Sequence, residues 1–337
     1  MRELNGPAAL HFLTTHWREL YTQDPAATPY QSPQWLTGWA RRLPRKATLT
    51  ILVATAATGR PLAALALVRE DGRNGTRIRP LSAPTAEYVR PVGPQAELPA
   101  IASSFAFFLI MLAEQGAHIE MTDVPADSAL GHYLTQTCQD PSWDNATSAY
   151  ATISLPIPYA AMSPSTKKSH RRRQRRWGHL ADQGRVAYTR TRHTRELLHA
   201  YDVLAGMHQD RWKGQDLLPG TTIGADTTRW RDVLNSCGAG LAFIATLTVD
   251  NTPVAAQLCL QRGPRAFSVV PAMHPDARHL APGHALLRHL AQDLADEGFH
   301  TLDLGRTAPG QHAYKAQYRP DWTSTIHAVT NQYATAA

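Results

Sequence analysis

Cysteine is scarce in this 337-residue chain, which carries only Cys138, Cys237 and Cys259, far apart and without a C-x-x-C pair. That spacing argues against a cysteine zinc site or a dithiol redox motif and predicts small buried hydrophobes. Lysine is scarce too: five of the 34 basic residues are Lys46, Lys167, Lys168, Lys213 and Lys315, and the rest are arginine. The skew fits a GC-rich genome as well as a function, while the net charge of +7 favours anionic partners. Long apolar runs are missing. The longest, Ala100 to Ala113, is well short of the ~20 residues that span a bilayer, so a buried helix is expected and a membrane span is not. The opening MRELNGPAALHFLTTHW has no apolar stretch behind a basic one, so no secretory signal is expected and the cytoplasm is the default location. What is present, 43% hydrophobic and 18% charged residues, belongs to a folded, water-soluble protein. At roughly 100–200 residues per domain the length predicts two domains.

Ser32 and Pro33 predict a helix start over SPQW, with Trp35 and Trp39 on one face. Two apolar runs within residues 48–69, split by Thr58-Gly59-Arg60-Pro61, predict a hairpin, and residues 119–124 a strand. Pro156, Pro158 and Pro164 break the periodicity, placing a domain boundary there, with domains over 1–160 and 161–337. A helix carrying KKSHRRRQRRW follows from Ser163 or Ser165 to near Gly184, then a strand over 185–191. Further on, helices are expected over 195–212 and 228–237, and strands over 241–249, 253–261 and 266–273, with a turn at Asp250-Asn251. The helix over 283–297 sets Leu286, Leu287, Leu290 and Leu294 on one face and stops at Gly298, before a strand over 300–304.

The chemistry is expected in the turn Arg278-His279-Leu280-Ala281-Pro282-Gly283. A helix start carries free N–H groups and partial positive charge, so small residues there let a pyrophosphate approach the backbone, with Arg278 adding a charged contact. A plain tight turn is the equal alternative. The ten residues Lys167 to Arg176 hold seven lysines and arginines. Such a run is either a solvated helix face or a patch for an anionic partner such as tRNA, a carrier protein, an acidic peptide or a membrane surface.

The spacing from Arg278 to Gly283 resembles the acyl-CoA loop R/Q-x-x-G/A-x-G/A of the GNAT N-acyltransferases. Within them the chain is most similar to the CelD-like group, named for a cellulose-biosynthesis acetyltransferase and related to the FemABX transferases. The likeness rests on SPQW, STKKSHRRRQRRW, MHQDRW, HPDARHLAPG, LDLGR and the Tyr314-Lys315 pair, and spans most of residues 30–320. It implies an α/β (α+β) fold of tandem GNAT-like domains, each a mixed, largely antiparallel sheet flanked by helices, the first degenerate and the second an acyltransferase. It also implies that acyl-CoA, acetyl-CoA in the simplest case, wedges between the strands over 266–273 and 300–304 and is attacked directly by an amine of a small molecule, sugar or peptide. Donor contacts would come from Met273, Arg278, Ala281, Gly283, His284 and Lys315, although Ala281 stands where glycine is usual and Pro282 removes a backbone donor. Asp303 and His274 are candidate bases and Tyr314 a candidate acid for the departing thiolate. Asp303 would serve equally as a cap on the adjacent turn, His274 as a loop histidine, and Tyr314 with Lys315 as an ordinary helix pair. His208, Arg211 and Trp212, with Trp35, Tyr88 and Arg90 of the first half, are candidates for the acceptor site. No metal is called for. A FemABX-like transfer from aminoacyl-tRNA and a non-catalytic binding protein are the alternative readings.

Overall fold

The computed structural model describes residues 1–73, 75–212 (backbone alone at 211 and 212), 223, 226–307 and 312–331. Two compact units divide the chain: Met1–Ala149 together with the segment from Thr323 onward, and Tyr150–Trp322. In chain order the first holds β1 (Arg2–Asn5), α1 (Gly6–Thr15), α2 (Trp17–Gln23), α3 (Pro33–Ala40), β2 (Ala47–Thr55), β3 (Pro61–Gly72), β4 (Gly75–Pro80), α4 (Pro99–Glu114), β5 (His118–Pro125), α5 (Ala129–Thr137) and the start of β6 (Trp143–Ser154). The second holds the end of β6, α6 (Pro164–Asp182), β7 (Val186–Arg190), α7 (Thr194–Trp212), α8 (Thr227–Cys237), β8 (Ala242–Val249), β9 (Thr252–Arg262), β10 (Arg265–Met273), α9 (Pro282–Asp296), β11 (Thr301–Arg306) and α10 (His312–Ala316). The last strand, β12 (Asp321–Thr330), returns to the first unit.

In the first unit β1, β2, β3 and β4 pair antiparallel in sequence, β4 pairs parallel to β5, and β5 pairs antiparallel to β12. The apolar helix expected over 100–113 is α4, which buries Ala102, Phe105, Ala106 and Leu109 beside Leu65, Ile119 and Met121. Beyond Pro80 the lane of β4 is taken by the unit's own chain. Val92 exchanges two backbone bonds of 2.8 Å with Ala64 of β3, and Val89 donates to the Asp123 carbonyl of β5 at 2.9 Å. Gly93 permits this approach, because a Cβ there would lie 2.3 Å from the Leu62 carbonyl oxygen. Behind the segment, the guanidinium of Arg90 is buried between Asp24 at 2.8 Å and Glu97 at 2.6 Å.

The second unit repeats the order: β7, β8, β9 and β10 antiparallel, β10 parallel to β11, and β11 antiparallel to the end of β6. Phe243, Ala245 and Leu247 of β8 face α9, where Leu286, Leu287, Leu290 and Leu294 are all buried, joined by Trp177 of α6. Burying such a leucine contributes ~2 kcal/mol relative to leaving it exposed. Alternate residues of the strands, Ala242 and Ile244 among them, point to the opposite face, and α7 packs on that side. The division expected at residue 160 differs from these units because β6 and β12 trade places: each closes the sheet of the unit that its preceding helix does not belong to. Pairing of that kind leaves no trace in local periodicity. Cys237 and Cys259 are buried as expected, whereas Cys138 is half-buried.

Candidate functional site

Strand β10 stays paired to β9 along its whole length, through a bulge between Ser268 and Val270, as far as Met273 opposite Ala255. Its partnership with β11 stops early, after Arg265, Ala266 and Phe267 meet Thr301, Leu302 and Asp303. The second unit therefore contains an open fork, with a free edge on β10 from Ser268 to Met273. His274 N–H donates to Val254 of β9 at 3.0 Å. Neighbouring residues of an antiparallel strand point their backbone groups to opposite sides, so Met273 N–H and C=O face the fork, as does the Pro271 carbonyl. Pro271 has no N–H, which leaves Met273 as the donor at this end of the edge.

From Met273 the chain turns back through a 3-10 segment, Pro275–Leu280, and enters α9 at the mouth of the fork. Ala281 takes the left-handed conformation, φ 52°, that glycine adopts at lower cost, and it provides no side-chain cap to the helix. The first turn of α9 thus keeps a partial positive charge without a side-chain cap; Pro282 has no N–H and His284 N–H donates to the Ala281 carbonyl at 3.2 Å, which leaves Gly283 as the donor there. Gly283 sits here because the side chain of Met273 crosses the turn: a Cβ at 283 would come 2.8 Å from the methionine sulfur. That contact fixes the start of α9 against the free end of β10. The loop is held from the other side by α6, where Arg176 donates to the His279 carbonyl and Trp177 Nε1 to the Leu280 carbonyl at 2.9 Å.

Around this helix start the structure assembles a ring cluster from three parts of the chain. His284 Nδ1 is hydrogen-bonded to the Tyr318 hydroxyl at 2.6 Å, and its ring lies 4.8 Å from that of Tyr314. His170 of α6 packs 5.4 Å from Tyr318 and 5.5 Å from Tyr159. Burial, followed by the charge of Arg173 and the neighbouring His170, pushes His284 down to about 3, so its imidazole is neutral at physiological pH. His170 is pushed down as well, by burial and then Arg173 and Arg288. Burial raises the Tyr318 phenol well above its ordinary value. The cluster is uncharged, lined with hydrogen-bonding groups and edged by arginine.

Other expected residues take quieter places. Asp303 is buried and accepts from Gly305 N–H at 2.6 Å and the Thr152 hydroxyl at 3.1 Å, so its carboxylate caps the irregular end of β11. Lys315 is buried too, its ammonium donating to the carbonyls of Gly305 at 2.6 Å and Arg306 at 2.8 Å. His274 Nδ1 accepts from Asp276 N–H at 3.3 Å and caps the 3-10 segment. Arg278 is exposed on that segment, and Tyr314 is 37% exposed beside the cluster. His208 lies in the buried stripe of α7 with Tyr201 and Leu204, and the side chains of Arg211 and Trp212 lie outside the described residues. Trp35, fully buried between Tyr30 and Trp39, and Tyr88, whose carbonyl accepts from Gln31, belong to the interior of the first unit. Sequence reasoning missed Tyr159, His170 and Tyr318, and it read Arg173 only as part of the basic run. The four-residue step from Tyr314 to Tyr318 was a usable signal, while His170 was hidden inside a run read for its charge.

An open fork beside an uncapped helix start is the arrangement that the loop motif implied, and residues 164–316 match the model of the acetyltransferase (GNAT) domain family. The second unit carries a GNAT domain. Its class is acyltransferase. No curated protein matches the chain significantly. Among solved structures it is similar to FemX (TM-score 0.63, 9% identity, 98% of each chain), to L-PGS from Bacillus licheniformis (0.57, 12%, 98% of this chain and 93% of that one) and to a tandem GNAT protein from the clavulanic acid biosynthesis pathway (0.52, 13%, 97% and 98%). At these identities the likeness is one of fold, and that fold is the tandem GNAT arrangement expected from the sequence. Among the described residues no cluster of three or more His, Cys, Asp or Glu side chains could hold a metal ion, and no helix is long and apolar enough to cross a membrane.

Proposed function

We propose that this GNAT protein moves an acyl group from a thioester of the acyl-CoA type to an amine, in the manner of a CelD-like cytoplasmic N-acyltransferase. The observation that carries the reading is the fork between β10 and β11 with the first turn of α9 at its mouth. An extended pantetheine arm would add to the free edge of β10 through Met273, while its diphosphate meets the positive end of α9 at Gly283 N–H. The amine attacks the thioester carbon, forming the C–N bond as the C–S pair leaves to sulfur. Tyr314 gives its phenolic proton to that thiolate, and the amine sheds its extra proton to solvent. Asp303, His274 and Lys315, held by backbone groups, keep β11 and the donor loop in place. The acceptor amine would enter from the solvent side of Tyr314.

Calorimetric titration with acetyl-CoA tests this. Gly283→Asp sets a carboxylate where phosphate would bind and displaces Met273, so affinity should fall more than tenfold. Absence of binding by the unaltered protein to any acyl-CoA, or unchanged binding by the variant, would overturn the proposal. A second reading, transfer from aminoacyl-tRNA as in FemABX-like enzymes, is favoured by the attachment of the basic helix α6 to the donor loop through Arg176 and Trp177. Neutralising Arg171, Arg172 and Arg173 would then weaken RNA binding and flatten its salt dependence, and salt-insensitive activity would count against it.

A further inference from the structure

Two arginines one helical turn apart on α6, Arg171 and Arg175, and Arg288 on α9 line a cleft of about 500 Å³ within the second unit. Four other arginines of that unit are paired with carboxylates: Arg185 with Asp250, Arg190 and Arg192 with Asp293 and Glu297, Arg231 with Asp202. Among the described residues no carboxylate is paired with any of the three in the cleft. Their nearest compensation is neutral: Gln174, its amide turned to present oxygen, accepts from both terminal nitrogens of Arg288 at 2.8 Å. Three like charges around one concavity repel, and an anion seated among them removes that cost. Planar guanidinium groups match phosphate oxygens in pairs.

The rest of the lining, Trp177, Gly178, Ala181 and Val186 beside the ring of His289, is largely apolar. Gly178, Ala181 and Val186 form a wall without a polar side chain, and a Cβ added at Gly178 would meet nothing within 4 Å. The volume lies in the ~300–1,000 Å³ range of small-ligand sites. We infer that the cleft between α6 and α9 binds a nucleoside phosphate, the phosphate among Arg171, Arg175 and Arg288 and the base along the Gly178 wall. The ligand is either a free nucleotide or the terminal nucleotide of an RNA. The site is separate from the fork and does not depend on the donor reading.

Binding of ADP is measured by calorimetry in the Gly283→Asp background, so that the start of α9 does not report. ADP should bind saturably, while adenosine and inorganic phosphate each bind at least tenfold more weakly. Arg171→Ala/Arg175→Ala should weaken ADP tenfold or more by removing charge, and Gly178→Leu should do so by filling the wall. Since residue 178 is inside a helix with open space beside it, the leucine variant should keep the fold and its circular dichroism. A 12-nucleotide single strand that binds more tightly than ADP, with a steep salt dependence, assigns the site to RNA; equal or weaker binding assigns it to free nucleotide. No ADP binding, phosphate binding as well as ADP, or an ADP affinity unmoved by either variant would overturn the inference. Loss of acetyl-CoA binding leaves it standing.

Discussion

Replacing His284 by glutamine probes the ring cluster through pH. In the folded protein burial, Arg173 and His170 hold this imidazole at about 3, against an ordinary value of 6.5. Below pH 6.5 the unfolded chain therefore takes up a proton that the folded chain refuses. A depressed histidine makes no such penalty above pH 6.5, and the penalty grows as pH falls toward 3. At pH 4.5 it amounts to about 1.36 kcal/mol for each of two pH units, near 2.7 kcal/mol, and to ~2 kcal/mol once partial solvent screening is allowed for. Glutamine keeps a hydrogen-bonding group toward Tyr318 and does not titrate. Urea unfolding of the native protein and of His284→Gln at pH 7.5 and pH 4.5 isolates the effect, because every other group is common to both. The native protein should lose ~2 kcal/mol more than the variant between the two pH values, with the transition that reports the second unit carrying the difference. Equal losses, or a larger loss in the variant, would refute the assignment of a buried neutral imidazole at the start of α9.

Ala281→Gly should stabilise the protein by about 0.5–1 kcal/mol in thermal or urea unfolding, since the left-handed backbone costs alanine ~1–2 kcal/mol and glycine's extra freedom in the unfolded chain returns part of that. Arg90→Met strands the buried Asp24 carboxylate, which retains backbone donors at Ala26 and Gly93, and should cost about 3 kcal/mol in the unfolding of the first unit. Calorimetry with acetyl-CoA should return one site per chain, because Val89 and Val92 already fill the first unit's counterpart of the fork. A stoichiometry of two would refute that equivalence.

Elements whose cause is local were legible. Ser32 caps α3 by accepting from Trp35 N–H, Ser163 caps α6 through Thr166 N–H, and the leucine stripe of α9 is buried as its spacing required. The hairpin turn at Asp250-Asn251 holds both residues at positive φ, which their side chains tolerate. Gly283 was legible as a small residue at a helix start, although the neighbour that requires it, Met273, lies ten positions away across a turn. Asp303 on its strand was expected as a candidate base and Lys315 as a donor contact, but their backbone partners at Gly305 and Arg306 depend on how the end of β11 bends.

The sequence by itself determined the helices α3, α6 and α9, the hairpins around Gly59 and Asp250, the loop at the start of α9 and the acyltransferase class, because caps, periodicity and turn residues act over a few positions and the loop motif is contiguous. Tertiary structure alone decided which strands close which sheet, that the lane of β4 beyond Pro80 is filled while the fork beside β10 stays open, and that His170, His284, Tyr314 and Tyr318 share one cluster. Those outcomes depend on pairing and packing between segments far apart in the chain, as between His170 and Tyr318 or between Val124 of β5 and Ile326 of β12. No local propensity encodes a partner at that distance; burial and backbone hydrogen bonding select it as the chain folds.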